Sequence, residues 1–121
     1  MNLIPFNVEV ESVDDDGVRV VSVTGELDQA TADKLREPLR ETIEAGGAVM
    51  INMCDCTFID STGLGVIVEA WKQLQARNGD GAALSICCPE PEVRRLLEVT
   101  GLDQAIEIRD SPEDAIAVLK K

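Results

Sequence analysis

The run Ala48–Cys56 (AVMINMCDC) is nearly all apolar and does not alternate. Such a stretch suits a strand covered on both faces, which obliges the rest of the chain to provide helices around a sheet. The flanking segments meet that demand. Phe6–Val13 alternates, with Phe6, Val8 and Val10 on one face and Asn7, Glu9 and Glu11 on the other, which predicts a half-exposed strand. Asp14-Asp15-Asp16-Gly17 reads as a hairpin turn into a second strand, Val18–Thr24, whose regular alternation ends at Gly25. Gln29–Ala45 has helical spacing at Ala32, Leu35, Leu39 and Ile43, with Asp28 as N-cap and Gly46-Gly47 as the stop. Pro38 is expected to kink that helix, because it removes the bond to the Lys34 carbonyl.

Ser61–Asn78 predicts a second helix with Leu64, Ile67, Trp71 and Leu74 facing inward. A strand over Ala82–Cys88 follows, then a helix over Pro91–Val99 with Val93, Leu96 and Leu97 inward, and a short strand over Ala105–Arg109. Ser111-Pro112-Glu113-Asp114 combines a capping serine, an N1 proline and an early acid, so it opens a last helix packed down by Ala115, Ile116, Val118 and Leu119. The order β-β-α-β-α-β-α-β-α implies right-handed crossovers and a largely parallel sheet with one antiparallel strand. Ligands and partners of such sheets meet the loops at the carboxyl ends of the strands: Gly25–Asp28, Asp55–Ser61, Cys88–Glu92 and Arg109–Ser111.

Composition then excludes several kinds of chemistry. The chain has 121 residues, the size of one domain, and a formal net charge of −12. So acidic a surface repels nucleic acid and anionic lipid, so neither is expected as a partner, and a partner surface is expected to be basic or to tolerate acid. There is no histidine, which removes Ser-His-Asp and Cys-His relays and histidine metal sites. No tyrosine is present, and Phe6, Phe58 and Trp71 are too few for a base-stacking platform. No segment nears the ~20 apolar residues of a membrane span, and the first residues lack the basic and apolar regions of a signal peptide. A cytoplasmic protein is expected, with Cys54, Cys56, Cys87 and Cys88 as thiols. Their C-x-C and C-C spacings differ from the C-x₂₋₄-C pairs usual for structural zinc, so all four read as core residues.

The loop Asp55-Cys56-Thr57-Phe58-Ile59-Asp60-Ser61-Thr62-Gly63-Leu64-Gly65 carries the most information. It sets two hydroxyls and two glycines in the first turn of a helix, although a glycine costs ~0.8–1 kcal/mol in a helix interior relative to alanine. Something is therefore expected to approach that backbone closely. On a purely structural reading, Ser61 caps the helix and the glycines let it pack on the sheet. A dinucleotide reading of Gly63-x-Gly65-x-x-Val68 lacks the third glycine, and Cys88 stands where an acid would hold ribose. A nucleophile elbow needs glycine where Ile59 stands, and a histidine base. The third functional reading, which stands beside the structural one, is a phosphorylation switch at Ser61. Phosphoserine carries about −1.5 to −2 charges, which the helix N-terminus tolerates while the nearby Asp60, Asp55 and Asp28 amplify the change in potential.

The run Gly25-Glu26-Leu27-Asp28 with Thr31-Ala32 resembles one signature of the STAS-domain anti-anti-sigma factors, or anti-sigma factor antagonists. Asp60-Ser61-Thr62-Gly63-Leu64-Gly65 resembles the second and more specific signature. Pro91-Glu92-Val93-Arg94-Arg95-Leu96-Leu97, leading into Thr100-Gly101-Leu102-Asp103, is similar to the family's third helix and the turn after it. The resemblance implies a single STAS domain over 1–121, an α/β fold. Its sheet would be mixed but mostly parallel, with about five strands and four helices mainly on one side. It implies a non-enzymatic cytoplasmic regulator. Unphosphorylated, it would bind an anti-sigma factor that is also a serine kinase of the histidine-kinase-like ATPase fold, and so free a sigma factor. Phosphorylation at Ser61 would end that binding, and a metal-dependent serine phosphatase would reset it. Asp28, Asp60, Thr62, Gly63 and Gly65 would support the switch or the partner contact; Thr62 stands where the family often has a second serine. ATP and metal belong to the partner enzymes, so no cofactor is expected here. The alternative is a STAS scaffold subunit of a lipid-transport or stressosome-like complex, in which the same loop is a docking surface.

Overall fold

The apolar run beginning at Ala48 is the central strand of a five-stranded sheet. A computed structural model describes residues 4–13, 17–78 and 84–119. The strands are β1 (Asn7–Val13), β2 (Val18–Leu27), β3 (Ala48–Ile59), β4 (Leu84–Cys87) and β5 (Glu107–Arg109). The helices are α1 (Ala32–Glu44), α2 (Ser61–Asn78), α3 (Pro91–Val99) and α4 (Pro112–Ala117). The strands lie side by side in sequence order; β1 is antiparallel to β2, and the remaining pairs are parallel. Crossovers of one hand between strands laid down in one direction deliver every connecting helix to the same face.

That is how the core divides. Val21, Val23, Val49, Ile51 and Met53 form one cluster with Leu35, Leu39 and Ile43 of α1, Val66, Ile67, Ala70 and Leu74 of α2, and Val93 and Leu97 of α3. On the opposite face Val18, Val20, Met50 and Cys87 pack with Ala115 and Leu119, so α4 alone covers it among the described helices. Each fully buried side chain of this size contributes ~1.5–3 kcal/mol. The second face is pinned by one polar bond: the buried Ser85 Oγ donates to the Ala115 carbonyl at 2.8 Å.

Several boundaries differ from the pattern-based expectations. β2 runs through Gly25 to Leu27, and β3 runs past Cys56 to Ile59. β3 has one extra residue at each of two register shifts, between Ser22/Thr24 and Gly25/Glu26, so pairing resumes instead of ending. At Gly25 the backbone has φ +94°, and a Cβ would stand 3.1 Å from the Ile4 carbonyl oxygen and the Phe6 Cα. β1 is an edge strand, and Val10 is exposed rather than packed. The Asp14–Asp16 turn lies outside the described residues, although Val13 pairs with Val18 as the hairpin requires.

α1 begins at Ala32, not Gln29, because the Asp28 carboxylate folds residues 28–31 into a separate turn. It continues through Pro38; Lys34 is exposed, so water can satisfy the carbonyl that the proline leaves free. The buried stripe of α2 centres on Val66, Ile67, Ala70 and Leu74, with Leu64 and Trp71 half-buried at its edges. β4 is described from Leu84; Ala82 and Ala83 lie outside the described residues, and Cys88 leaves the strand at φ +58°. β5 starts at Glu107 because Leu102–Gln104 forms a 3-10 turn. The cap of α4 is as expected, with Asp114 N–H donating to Ser111 Oγ at 3.1 Å. The cysteines are not uniformly core residues: Cys56 and Cys87 are buried, Cys54 and Cys88 half-buried.

Ser85→Ala removes the only side-chain bond holding α4 to β4 among the described residues. The expected cost is about 1–3 kcal/mol, read from the urea midpoint at unchanged m-value.

Candidate functional site

β2 and β3 end together, with Leu27 paired to Ile59. The next residue, Asp60, donates its N–H to the Leu27 carbonyl at 3.2 Å and turns the chain into α2. Its carboxylate then serves two segments. Oδ1 accepts from Gly63 N–H at 2.9 Å, which caps the helix, and Oδ2 accepts from Gln29 N–H at 3.1 Å, which ties in the loop after β2. Asp60 is therefore the N-cap, and Ser61 is the first helical residue; the purely structural role expected for Ser61 belongs to its neighbour.

That shift frees the serine. Ser61 and Thr62 are both exposed, and the Ser61 hydroxyl has no hydrogen-bond partner among the described residues. It stands at the mouth of α2, where the first amides lack intrahelical acceptors and the dipole is positive.

The loop after β2 is built by Asp28. Its Oδ1 accepts from Ala30 N–H at 2.9 Å, Thr31 N–H at 3.2 Å and Thr31 Oγ1 at 3.2 Å. Thr31 Oγ1 also lies 2.7 Å from the Glu26 carbonyl, and Asp28 N–H donates to Thr31 Oγ1 at 2.9 Å. The Gln29–Asp60 bond joins this turn to the start of α2, so the structure brings Asp28, Asp60 and Ser61 to one end of the sheet. Asp55 is set back: it lies four residues before Ile59, ~13 Å along the strand.

The two glycines have different reasons. A Cβ on Gly63 would stand 2.7 Å from both the Leu27 carbonyl oxygen and Leu27 Cγ, so the close approach foreseen there is made by the chain itself. A Cβ on Gly65 would meet nothing within 4 Å. Nothing in the fold requires glycine at that position.

Phe58 is a feature the sequence reading missed. It is 45% exposed, three residues before Ser61, and lines a shallow groove with Ile59, Glu92, Val93 and Leu96. A second groove lies beside Asp28, between Phe6, Glu26, Thr31 and Thr57. The sequence pattern ends the strand at Cys56 and so places Phe58 in a loop, whereas β3 carries it out to the surface beside the buried Ile59. Burial works against the thiolate at three of the four cysteines: it pushes Cys54 up to about 11 and raises Cys56 and Cys87 as well.

Residues 9–115 match the family model of the STAS domain, and the chain belongs to that family, among the anti-sigma factor antagonists. It is 31% identical over 117 residues to an anti-sigma F factor antagonist of Paenibacillus polymyxa, covering 95% of this chain and 97% of the relative. It is 31% identical over 111 residues to an anti-sigma-B factor antagonist of Bacillus subtilis, covering 92% and 99%. The crystal structure of an anti-sigma factor antagonist from Mycobacterium paratuberculosis superposes with a TM-score of 0.86 at 27% identity, covering 97% of this chain and 96% of that one. Anti-sigma factor antagonists are non-enzymatic partner-switching proteins. No helix among the described residues is long and apolar enough to cross a membrane.

The glycines yield a paired prediction. Gly65→Ala gains helix propensity and should raise unfolding stability by about 0.8–1 kcal/mol. Gly63→Ala must push the first turn of α2 off Leu27 and should lose about 1–3 kcal/mol, both read by urea denaturation.

Proposed function

We propose that this protein is a phosphorylation-controlled anti-sigma factor antagonist whose switch is Ser61. In the unphosphorylated state it binds an anti-sigma factor that is also a serine kinase, and a sigma factor is released. Phosphate on Ser61 ends that binding, and a metal-dependent serine phosphatase restores it. The observation that carries this reading is the exposed, unbonded Ser61 hydroxyl at the first position of α2, set apart from the capping duty that Asp60 performs. ATP and metal ions act on the partner enzymes, and this chain contributes the acceptor oxygen and the docking surface. A cytoplasmic setting fits such partners.

The energetics suit a switch that leaves the fold intact. A phosphate at a helix N-terminus meets free amides and the positive dipole end, worth typically ~0.3–1 kcal/mol. Asp60 and Asp28 already make this end of the sheet acidic. A partner surface matched to two carboxylates must then face a dianion as well. A hundredfold loss of affinity requires ~2.8 kcal/mol. Like charges ~4 Å apart repel by about 1 kcal/mol in water and about 4 kcal/mol at an effective dielectric of 20, so one or two desolvated contacts suffice. Gly65 and Phe58, whose placement no internal packing explains, extend the docking surface along α2 and the neighbouring groove.

Incubation with the cognate anti-sigma factor and ATP should place one phosphate on Ser61 and none on Ser61→Ala, by peptide mass mapping. Ser61→Asp should weaken partner binding in calorimetry at an unchanged melting temperature. A phosphate mapped elsewhere, with Ser61→Ala still modified, overturns the reading.

Asp28→Asn separates charge from scaffold. Asparagine keeps the Oδ1 acceptor for Ala30 and Thr31, so the melting temperature should hold while partner affinity or phosphorylation rate falls. Unchanged binding would confine Asp28 to shaping its turn.

A further inference from the structure

Three of the four cysteines meet on the sheet face that α4 covers. Cys54 lies there with Met50, whereas Cys56, beyond the extra residue in β3, belongs to the opposite core. Cys87 ends β4 beside Asn52 of β3, and its Sγ stands 3.7 Å from that of Cys54. Successive residues of a strand point to opposite faces, so Cys88 belongs on the other side. It is instead the one described non-glycine residue with a positive φ, +58°, and that turn brings its Sγ to 3.1 Å from Cys87 Sγ. Cys88 N–H donates to the Arg109 carbonyl at 2.8 Å, which holds the residue in this unusual conformation. All three sulfurs lie within 4.8 Å of one another.

We propose that Cys54, Cys87 and Cys88 form a binding site for a soft monovalent metal ion of the Cu(I) type, held by three thiolates. Bonds of ~2.3 Å around a trigonal ion set the sulfurs ~4 Å apart. Cys54 and Cys87 stand near that spacing at 3.7 Å, whereas Cys87 and Cys88, at 3.1 Å, must open to admit the ion. Thiolate sites select Cu(I), zinc or iron–sulfur clusters. Structural zinc takes four protein ligands, and iron–sulfur clusters generally take four cysteines. Among the described residues the ligand group stops at three, and the sequence contains no histidine to complete it. Cu(I) accepts three sulfurs. Cys87 is buried while Cys54 and Cys88 are half-buried, so the ion enters from the exposed side and meets an apolar floor. Coordination involves no change of oxidation state: each thiol that binds gives its proton to solvent, up to three per ion.

The site is tested on fully reduced protein without oxygen, titrated with Cu(I) against the chromogenic chelator bicinchoninate. One equivalent should leave the chelator, with a new near-ultraviolet thiolate-to-copper absorption. Cys88→Ser and Cys54→Ser should each weaken uptake about a hundredfold, ~2.8 kcal/mol, while far-ultraviolet circular dichroism is unchanged. Cys56→Ala, on the other face, should bind as the parent does. Equal uptake by Cys88→Ser overturns the proposal. So does one-to-one binding of zinc while Cu(I) stays with the chelator, or an oxidised Cys54–Cys87 or Cys87–Cys88 pair that takes up no copper once reduced.

Discussion

The Asp60 carboxylate holds the site together. One oxygen closes the open end of α2 and the other fixes the loop after β2, so the distant segments holding Gln29 and Gly63 share one acceptor group. Its backbone N–H is anchored to Leu27 in turn, and Gly63 is pressed against the same residue. A short rigid knot results at the carboxyl ends of β2 and β3. Because the cap is made by Asp60, Ser61 contributes nothing to it, and its hydroxyl can be altered without removing a support. A residue suited to reversible modification has to be dispensable to the fold in this way.

The sheet explains why that knot is at the surface. With strands in sequence order and the crossover helices together on one face, the parallel strands all direct their carboxyl ends, and the loops that follow them, to the same edge of the molecule. The acidic turn built by Asp28, the serine and the exposed Phe58 therefore share one edge although the sequence scatters them. No deep pocket is required there. The two shallow grooves, one at Asp28 and one at Phe58, suit a protein surface better than a small ligand.

Much of this was legible in the residues. The apolar run at Ala48, the helical spacing of α1 and α3 and the Ser-Pro-x-Asp start of α4 each determine an element through a local rule. The remaining features depend on relations between distant segments. The extension of β3 to Ile59 rests on two extra residues accommodated against β2, which no alternation pattern reveals. Asp28 and Asp60 are both good caps by composition; only the three-dimensional links show that one builds a turn and the other a helix start. The glycine pair looked like a single signal for close approach, yet Gly63 answers to Leu27 and Gly65 to nothing within the chain. The cysteine spacing hid a cluster because it forms across two strands and through one backbone inversion at Cys88.

The edge strand β1 has a further consequence. It offers one unpaired row of backbone groups to solvent, and Asn7, Glu9 and Glu11 stand exposed along it. A second copy approaching edge to edge in antiparallel fashion would bring glutamates against glutamates, a costly encounter for a molecule of net charge −12. The outermost strand thus repels its own likeness, and the sheet stays closed to recruits on that side.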